Sequence, residues 1–286
     1  MARSAPRFSV SEISTLNRTF DEDVRGYAAG GAEGIGLLEE KLPEGRDGES
    51  RALLREHGLT ATICITKTGS ILPNALSAEP ADPDHRVELL SKSIRRLAAF
   101  EPVTVLLLTG VQGERTAEEA RLIAVSGLRE LAGVARAAGV SIALEPIHRS
   151  VYGLFSLVWD IPGAVALLDE VADPSVGIIF DTWHLWDSPS VLDHIRKHAR
   201  RFPAVHVNDW RNPTRGWDDR ALPGEGIIDL PALFGALEAG EYAGGWYDME
   251  IFSTETYENS LLSLTVEEMT RRGKAGFMKA WAARRA

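Results

Sequence analysis

Short apolar runs alternate along the chain with longer segments in which apolar residues recur every three or four positions. Several short runs, such as VTVLLL and VGIIF, are apolar at nearly every position, which is typical of parallel strands covered on both faces. The alternation predicts eight strands, over Phe8–Ile13, Gly34–Leu38, Thr60–Thr66, Val103–Thr109, Val140–Glu145, Val176–Asp181, Ala204–Asn208 and Gly245–Ile251.

The longer segments carry residues that begin helices. Thr116 and Glu119 have the spacing of a capping box, in which each side chain bonds the other residue's backbone. Asp82-Pro83 places an N-cap before a proline in the first turn, and Asp229-Leu230-Pro231 repeats that arrangement. Further helices are predicted over Phe20–Gly30, Glu49–His57, Ile161–Val171, Val191–Phe202 and Val266–Arg284.

Eight strand–helix units in 286 residues correspond to about 36 residues per unit, which is usual for a (β/α)₈ barrel. A doubly wound open sheet is the alternative, but no Gly-x-Gly-x-x-Gly pattern follows a predicted strand. We therefore predict an α/β protein, a (β/α)₈ TIM barrel in a single domain over residues 1–286. In such barrels the chemistry lies where the strands end, so polar residues should cluster there.

The charge balance disfavours nucleic-acid partners. Lys and Arg number 31 and Asp and Glu number 41, which gives a net charge of −10 and repels phosphate backbones. The arginine pairs fall in predicted helices, where a solvated face explains them. We expect no nucleic-acid partner.

Neither a membrane span nor a disulfide is expected. No apolar run approaches the ~18 residues that a transmembrane helix needs, and no apolar stretch follows the basic N-terminus. The single cysteine, Cys64, lies in an apolar run and is predicted to be a buried strand thiol. These features favour a cytoplasmic enzyme.

Charged residues follow four successive predicted strands. Glu145, Asp181, His206 and Glu250 are separated by 36, 25 and 44 residues, about one barrel unit each. Carboxylates crowded at one mouth repel each other, and a divalent cation removes that penalty. Three carboxylates and one imidazole suit Mn²⁺, Mg²⁺ or Co²⁺, and Zn²⁺ less well. The alternative is four strand-end residues satisfied by ordinary hydrogen bonds.

Other polar residues lie close by in sequence. His184 is a candidate substrate contact or ligand, and His148 is either a substrate contact or an ordinary loop histidine. Asp209 is a candidate for orienting the imidazole of His206 or binding substrate, and Arg211 for holding a substrate hydroxyl, carboxylate or phosphate. The segment Asn212–Gly226, rich in Pro, Gly and Arg, is predicted to cover the mouth.

Such a site suits proton abstraction next to a carbonyl. A metal ion polarises the carbonyl and hydroxyl oxygens and stabilises an enediolate. One carboxylate removes a proton and a second returns it, and Glu145 and Glu250 are the candidate pair. Isomerisation, epimerisation and loss of a β-substituent all start this way, and the residues alone do not choose among them.

Five stretches at the strand ends carry a specific combination of motifs: ALEPIH (143–148), FDTWH (180–184), HVNDW (206–210), GEGIIDLPAL (224–233) and DMEIFS (248–253). At these residues the chain resembles the xylose-isomerase-like barrel superfamily, the sugar phosphate isomerase/epimerase group. The resemblance implies one divalent ion, with Mn²⁺ expected first, held by Glu145, Asp181, His206 and Glu250. It also implies Glu145 and Glu250 as the acid/base pair and His184 as a substrate contact.

The branches of this family differ in chemistry. Ketose epimerases usually carry an arginine six residues beyond the strand-seven histidine, where this chain has Asn212, so Arg211 or Arg215 must substitute. The endonuclease IV branch needs three zinc ions, and Ala221 stands where its histidine is expected. The residues therefore favour a sugar isomerase or epimerase, with a dehydratase-like or C-glycoside deglycosidase-like lyase as the alternative. A further alternative is a non-catalytic sugar-binding barrel. The sequence also leaves open whether the chain forms a homo-oligomer or is the partner subunit of a complex.

Overall fold

A computed structural model describes residues 5–285 of the chain. In this part of the chain, its strands are β1 Arg7–Ser11, β2 Gly34–Gly36, β3 Thr60–Ala61, β4 Ile63–Ser70, β5 Thr104–Leu108, β6 Ile142–Leu144, β7 Val176–Ile178, β8 Phe180–Asp181, β9 Val205–Val207, β10 Asp209–Trp210, β11 Arg220–Ala221 and β12 Trp246–Met249. Its α-helices are α1 Phe20–Ala29, α2 Asp47–Glu56, α3 Pro83–Ala98, α4 Ala117–Ala138, α5 Tyr152–Phe155, α6 Ile161–Val171, α7 Thr182–Leu185, α8 Val191–His198, α9 Leu230–Ala239 and α10 Val266–Ala282.

Two parallel sheets close into one barrel. One sheet has the order β3-β2-β1-β12-β9-β8 and the other the order β4-β5-β6-β7. The two are continuous because β3 and β4 are interrupted only at Thr62, and β7 and β8 only at Ile179. Thr62 bonds both neighbouring strands, since its N–H donates to Ile35 and its carbonyl accepts from Thr104. The predicted (β/α)₈ barrel is confirmed, with two of its eight predicted strands each split at one residue.

The predicted helix starts are present. The side chain of Thr116 accepts from the backbone of Glu119, and the Glu119 carboxylate accepts from the backbone of Thr116, so the capping box is complete. Asp82 and Asp229 cap α3 and α9, each with a proline in the first turn. The segment predicted as one helix over Val191–Phe202 is α8 followed by a 3₁₀ turn at Ala199–Arg201.

Alternation of side chains along the strands separates two apolar layers. The outward-facing layer packs against the helices and includes Cys64, which is fully buried as predicted. A small inward-facing cluster fills the barrel and consists of Ile63, Leu106, Ala143, Ile179, Ala204 and Trp246. No helix within residues 5–285 combines the length and the apolar character that a bilayer-spanning helix requires.

The segment after β9 was not predicted in detail. β10 pairs antiparallel with β11, with Trp210 opposite Arg220, so the chain returns over the end of the barrel. The segment Asn212–Gly226 thereby places Trp217, Asp218 and Arg220 in the wall of the cavity at the barrel mouth.

Candidate metal centre

The four strand-end residues lie side by side because the strands that carry them are neighbours in register. Asp181 on β8 and Asp248 on β12 both lie opposite His206 on β9. Glu145 directly follows β6, and Glu250 directly follows β12. All four predicted ligands, Glu145, Asp181, His206 and Glu250, are buried.

The imidazole of His206 faces three carboxylates through one nitrogen. Its Nδ1 lies 2.8 Å from Oε1 of Glu145, 3.7 Å from Oε2 of Glu250 and 3.8 Å from Oδ2 of Asp181. One candidate ligand atom from each of the four residues lies within 4.8 Å of the other three. Carboxylate oxygens with one imidazole nitrogen are a donor set that divalent cations accept, so the residues fit such an ion.

Arg220 balances part of this negative charge. Its Nη1 donates to Oε2 of Glu250 at 2.9 Å and to Oδ2 of Asp181 at 3.2 Å. The guanidinium is almost completely buried and lies over the ring of Phe252. One guanidinium cannot neutralise three buried carboxylates, and the remaining negative charge favours a cation.

Sequence reasoning gave Arg220 no role in this site. The signal that could have identified it is its place just before the Gly-Glu-Gly turn, at the end of the segment predicted to cover the mouth. Its charge reaches the carboxylates only because β11 folds back against β10.

Burial and neighbouring charges shift the pKa values of Glu145 and His206, which bond each other at the centre of the site. Burial raises the pKa of Glu145 to about 7, although His206 opposes this shift. Burial alone would lower the pKa of His206, but the carboxylates of Glu250 and Glu145 outweigh it and raise the pKa to about 10. Burial is thus the main cause for Glu145, and the neighbouring carboxylates are the cause for His206.

The second nitrogen of His206 faces the barrel interior. Its Nε2 lies 3.9 Å from Oδ2 of Asp248, and burial raises the pKa of Asp248 to about 7 although His206 opposes that shift. Within residues 5–285, neither this nitrogen nor either Asp248 oxygen has a hydrogen-bond partner at normal geometry. Asp248, rather than Asp209, is therefore the carboxylate next to the far side of this imidazole.

Asp181 and its helix fix the adjacent His184. Oδ1 of Asp181 accepts from the backbone N–H groups of Trp183 and His184 at 2.6 and 3.2 Å, which caps α7. Asn208 also donates to both oxygens of Asp181. The side chain of His184 consequently lies at the edge of the metal centre, where Nε2 is 3.2 Å from Nη2 of Arg220.

The other predicted substrate contacts lie elsewhere. The carboxylate of Asp209 accepts from the backbone N–H groups of Trp210, Gly224 and Ile228, so it organises the loop and does not orient His206. Arg211 donates to Asp219 and is not part of the cavity wall. His148 lies behind His184, with Nε2 3.1 Å from Asp187. These three residues support the site from outside it.

A cavity of about 1160 Å³ opens onto the centre. Glu145 and Glu250 belong to its wall together with His184 and Arg220, whereas Asp181 and His206 do not. Two of the four predicted ligands are thus accessible to a bound molecule, and they are the pair that sequence reasoning named as acid and base.

The sequence pattern of the xylose isomerase-like TIM barrel matches residues 27–277. The chain belongs to the xylose isomerase-like TIM barrel family. This confirms the resemblance drawn from the strand-end motifs.

Two curated relatives are named for reactions of sugars or sugar-like molecules. The chain is 26% identical over 251 residues to an inosose isomerase of Bacillus velezensis, which covers 82% of each protein. It is 27% identical over 213 residues to an L-ribulose 3-epimerase of Mesorhizobium japonicum, covering 73% of this chain and 66% of that protein. The solved structure of the IolI protein with a bound zinc atom superposes with a TM-score of 0.80 at 20% identity, over 98% of this chain and 99% of that one.

Proposed function

We propose that the protein is a divalent-metal-dependent isomerase or epimerase of a sugar or sugar-like hydroxyketone. The observation that carries this proposal is the cluster of Glu145, Asp181, His206 and Glu250 at the inner end of the cavity. The inosose isomerase and L-ribulose 3-epimerase relatives support the reaction class.

A cation would be held by the four clustered side chains. The mixed oxygen and nitrogen donors favour Mn²⁺, with Mg²⁺, Co²⁺ and Zn²⁺ as alternatives, and the zinc atom bound by the similarly folded IolI protein supports a bound metal ion. When bound, the ion supplies positive charge to the carbonyl and hydroxyl oxygens of the substrate.

Glu145 and Glu250 are proposed to move the proton. Both belong to the cavity wall, and they come from strands on different sides of His206. Carboxylates that border a cavity are suited to remove and return a proton of a bound substrate. Removal by one carboxylate and return by the other then changes either the position of the carbonyl or the configuration of one carbon.

His184 and Arg220 are proposed to hold the substrate. Nδ1 of His184 accepts from the backbone, so the neutral ring carries its hydrogen on Nε2. Nε2 of His184 and Nη2 of Arg220 are then two donors in the cavity wall, 3.2 Å apart, and one substrate oxygen in the cavity beside them would accept from both. This places a hydroxyl or carbonyl oxygen beside the two glutamates.

Solvent deuterium exchange tests the proposal directly. The protein is stripped with a chelator, reloaded separately with Mn²⁺, Mg²⁺, Co²⁺ or Zn²⁺, and incubated in D₂O with L-ribulose, with an inosose and with a panel of ketoses. We expect NMR to show metal-dependent deuterium next to the carbonyl of at least one compound, and the product to show which isomer forms.

The matched controls are Glu145→Gln and Glu250→Gln, which remove a proton acceptor and keep the side-chain size. Both should lose exchange. Absence of exchange with every metal and sugar would exclude the proposed proton transfer and favour a binding role. Exchange at the wild-type rate in both variants would remove the acid/base roles of Glu145 and Glu250.

A further inference from the structure

Two short 3₁₀ turns at the barrel mouth contribute to the cavity wall. The β1 turn (Glu12–Thr15) directly follows β1, and the β2 turn (Glu39–Lys41) follows β2. Ile13 of the β1 turn borders the cavity, as do Glu39 and Glu40 of the β2 turn. A movement of either turn therefore changes the cavity.

A buried charged cluster of Glu12, Asp23 and Lys41 lies behind these turns, outside the cavity wall. Glu12 and Asp23, which comes from α1, are both completely buried. Oε2 of Glu12 accepts from the backbone N–H of Leu38 at 2.8 Å. Nζ of Lys41 donates to the carbonyl of Thr15 at 3.0 Å and forms an ion pair with Asp23. The cluster thus joins the two turns to each other and to α1.

The charges of this cluster do not balance if both carboxyl groups are ionised. Within residues 5–285, Lys41 supplies the cation in ion-pair contact with Glu12 and Asp23, so two negative charges would face one positive charge. An unpaired buried charge is costly, and that cost disappears when one of the carboxyl groups keeps its proton. One proton makes the cluster neutral.

The hydrogen bonds of the two carboxyl groups lead to the same count. In the described part of the chain, Oε1 of Glu12 and Oδ1 of Asp23 have no hydrogen-bond partner. The two groups nevertheless lie within hydrogen-bonding reach of each other. Two carboxylates can only accept, whereas a protonated carboxyl group donates. A single hydrogen between the two groups therefore allows a bond that two ionised groups cannot form.

The pKa values of both carboxyl groups are raised. Burial raises the pKa of Glu12 well above its ordinary value and the charge of Asp23 adds to this shift, although Lys41 opposes it. Burial also raises the pKa of Asp23, again against the effect of Lys41. These directions agree with the charge count and the hydrogen-bond count.

Other titratable groups lie near the carboxyl pair. Burial raises the pKa values of Tyr27 on α1 and Cys64 on β4, so both side chains are uncharged at neutral pH. Glu39 on the β2 turn accepts from the backbone of β4 and borders the cavity. The charge of Asp248 on β12 acts on Tyr27 and Cys64, and Asp248 is unchanged in the variants described below.

We propose that Glu12 and Asp23 share one buried proton, which latches the β1 turn and the β2 turn together, and that opening of this latch releases the proton. In the open form the two carboxyl groups meet water and ionise at their ordinary pKa values. Opening of the cavity wall at these turns therefore becomes easier as the pH rises. This latch is separate from the metal centre and from the reaction proposed there.

The pH dependence of unfolding tests the shared proton. Glu12→Gln keeps the size of the side chain, and its amide can accept from Leu38 and donate to Asp23 at every pH. The folded wild type holds a proton that the unfolded chain releases above pH ~4.3. Its unfolding constant should therefore rise relative to that of Glu12→Gln, by up to about tenfold per pH unit between pH ~5 and ~8. A constant ratio over this range would overturn the proposal.

Two further variants identify the groups that hold the proton. Asp23→Asn removes the second carboxyl group, so Glu12 can pair with Lys41 without a proton and the pH dependence should flatten as well. Glu40→Gln is the matched control, because Glu40 is exposed on the β2 turn, and it should keep the wild-type pH dependence. If Asp23→Asn keeps that dependence, Glu12 holds its proton by burial alone and sharing is excluded.

Amide hydrogen exchange tests the link to the cavity wall. The backbone N–H of Leu38 is bonded to Glu12, so it exchanges with solvent when the latch opens. Its protection factor, which corrects for the intrinsic exchange rate, should fall by up to about tenfold per pH unit in the wild type and stay level in Glu12→Gln. The same pH dependence of protection in both proteins would show that the carboxyl pair does not latch the turns.

Discussion

The backbone N–H of His148 donates to Nδ1 of His184 over 3.0 Å. A neutral imidazole has one hydrogen and one lone pair, so it cannot accept both this bond and one from Nη2 of Arg220, which lies 3.2 Å from Nε2; the shorter backbone contact places the hydrogen on Nε2, on the side of the cavity. Burial lowers the pKa of His184 to about 3, which keeps the ring neutral under ordinary conditions. The loop after β6 thus prepares His184 as a hydrogen-bond donor.

His184→Ala should therefore raise KM more than it weakens metal binding. The substitution removes a donor to substrate and leaves the four clustered side chains in place. Steady-state kinetics on a substrate identified by exchange, together with metal analysis of the purified variant, measure the two effects. The donor-retaining His184→Gln should recover part of the loss. If purified His184→Ala contains no metal, His184 is a metal ligand and not a substrate contact.

The same histidine gives a pH dependence of stability. Its pKa in the folded protein is below the value of about 6.5 expected in the unfolded chain, so the unfolded state binds more protons between these values. The contribution of His184 is complete above pH ~6.5 and is lost as the pH falls toward 3. Chemical denaturation over this range should show a steeper loss of stability in the wild type than in His184→Gln. The same pH dependence of stability in the wild type and in His184→Gln would contradict the burial of a neutral His184 ring.

Glu250→Gln should lower turnover by about 10²–10⁴ while metal still binds loosely, because removal of a positioned base costs a factor of that order. Initial rates and metal content are measured on the same preparation. Glu225→Gln is the matched control, since Glu225 pairs with Arg272 at the surface. Near-normal turnover in Glu250→Gln would remove its acid/base assignment.

The positions of the four clustered residues could be predicted because the barrel itself determines them. Each lies within the last residues of an apolar strand or directly after it, and parallel strands of a barrel all end at the same face. The strand splits at Thr62 and Ile179 could not be predicted, since an apolar run looks the same whether or not its hydrogen bonding is interrupted.

The neighbours of the cluster were less predictable from sequence. Asp209 and Arg211 are close to His206 along the chain, but the loop after β10 directs the first to backbone N–H groups and the second to Asp219. Arg220 is distant in sequence and reaches the carboxylates through the β10–β11 pairing. Such contacts depend on the path of a loop, for which the sequence has no periodic signal.

Arg220→Met should destabilise the metal-free protein, because it removes the guanidinium bonded to Asp181 and Glu250 and leaves those carboxylates buried. The loss is about 3–5 kcal/mol for a buried pair broken on one side. Added Mn²⁺ should raise the Tm of this variant more than that of the wild type, since the cation replaces the missing charge. Thermal unfolding with and without Mn²⁺ measures both effects.

Arg211→Met is the matched control for that experiment. Arg211 is partly exposed, and Asp219 keeps its bonds to Arg215 when Arg211 is removed. Its unfolding temperature and its response to Mn²⁺ should stay close to those of the wild type. If Arg220→Met and Arg211→Met have the same unfolding temperature and the same response to Mn²⁺, Arg220 does not neutralise the carboxylates of the site.

Asp248→Asn tests whether the carboxylate next to Nε2 of His206 positions that imidazole for a cation. The negative charge of Asp248, 3.9 Å from Nε2, favours the tautomer with its hydrogen on Nε2, which leaves the Nδ1 lone pair directed at Glu145, Asp181 and Glu250. Removing its charge should weaken Mn²⁺ binding about 10–100-fold, measured by competition with a chelator. Asp248→Ala should weaken binding at least as much, because it removes the same negative charge. Loss of thermal stability with Mn²⁺ affinity unchanged in both variants would show that Asp248 only packs against the barrel interior.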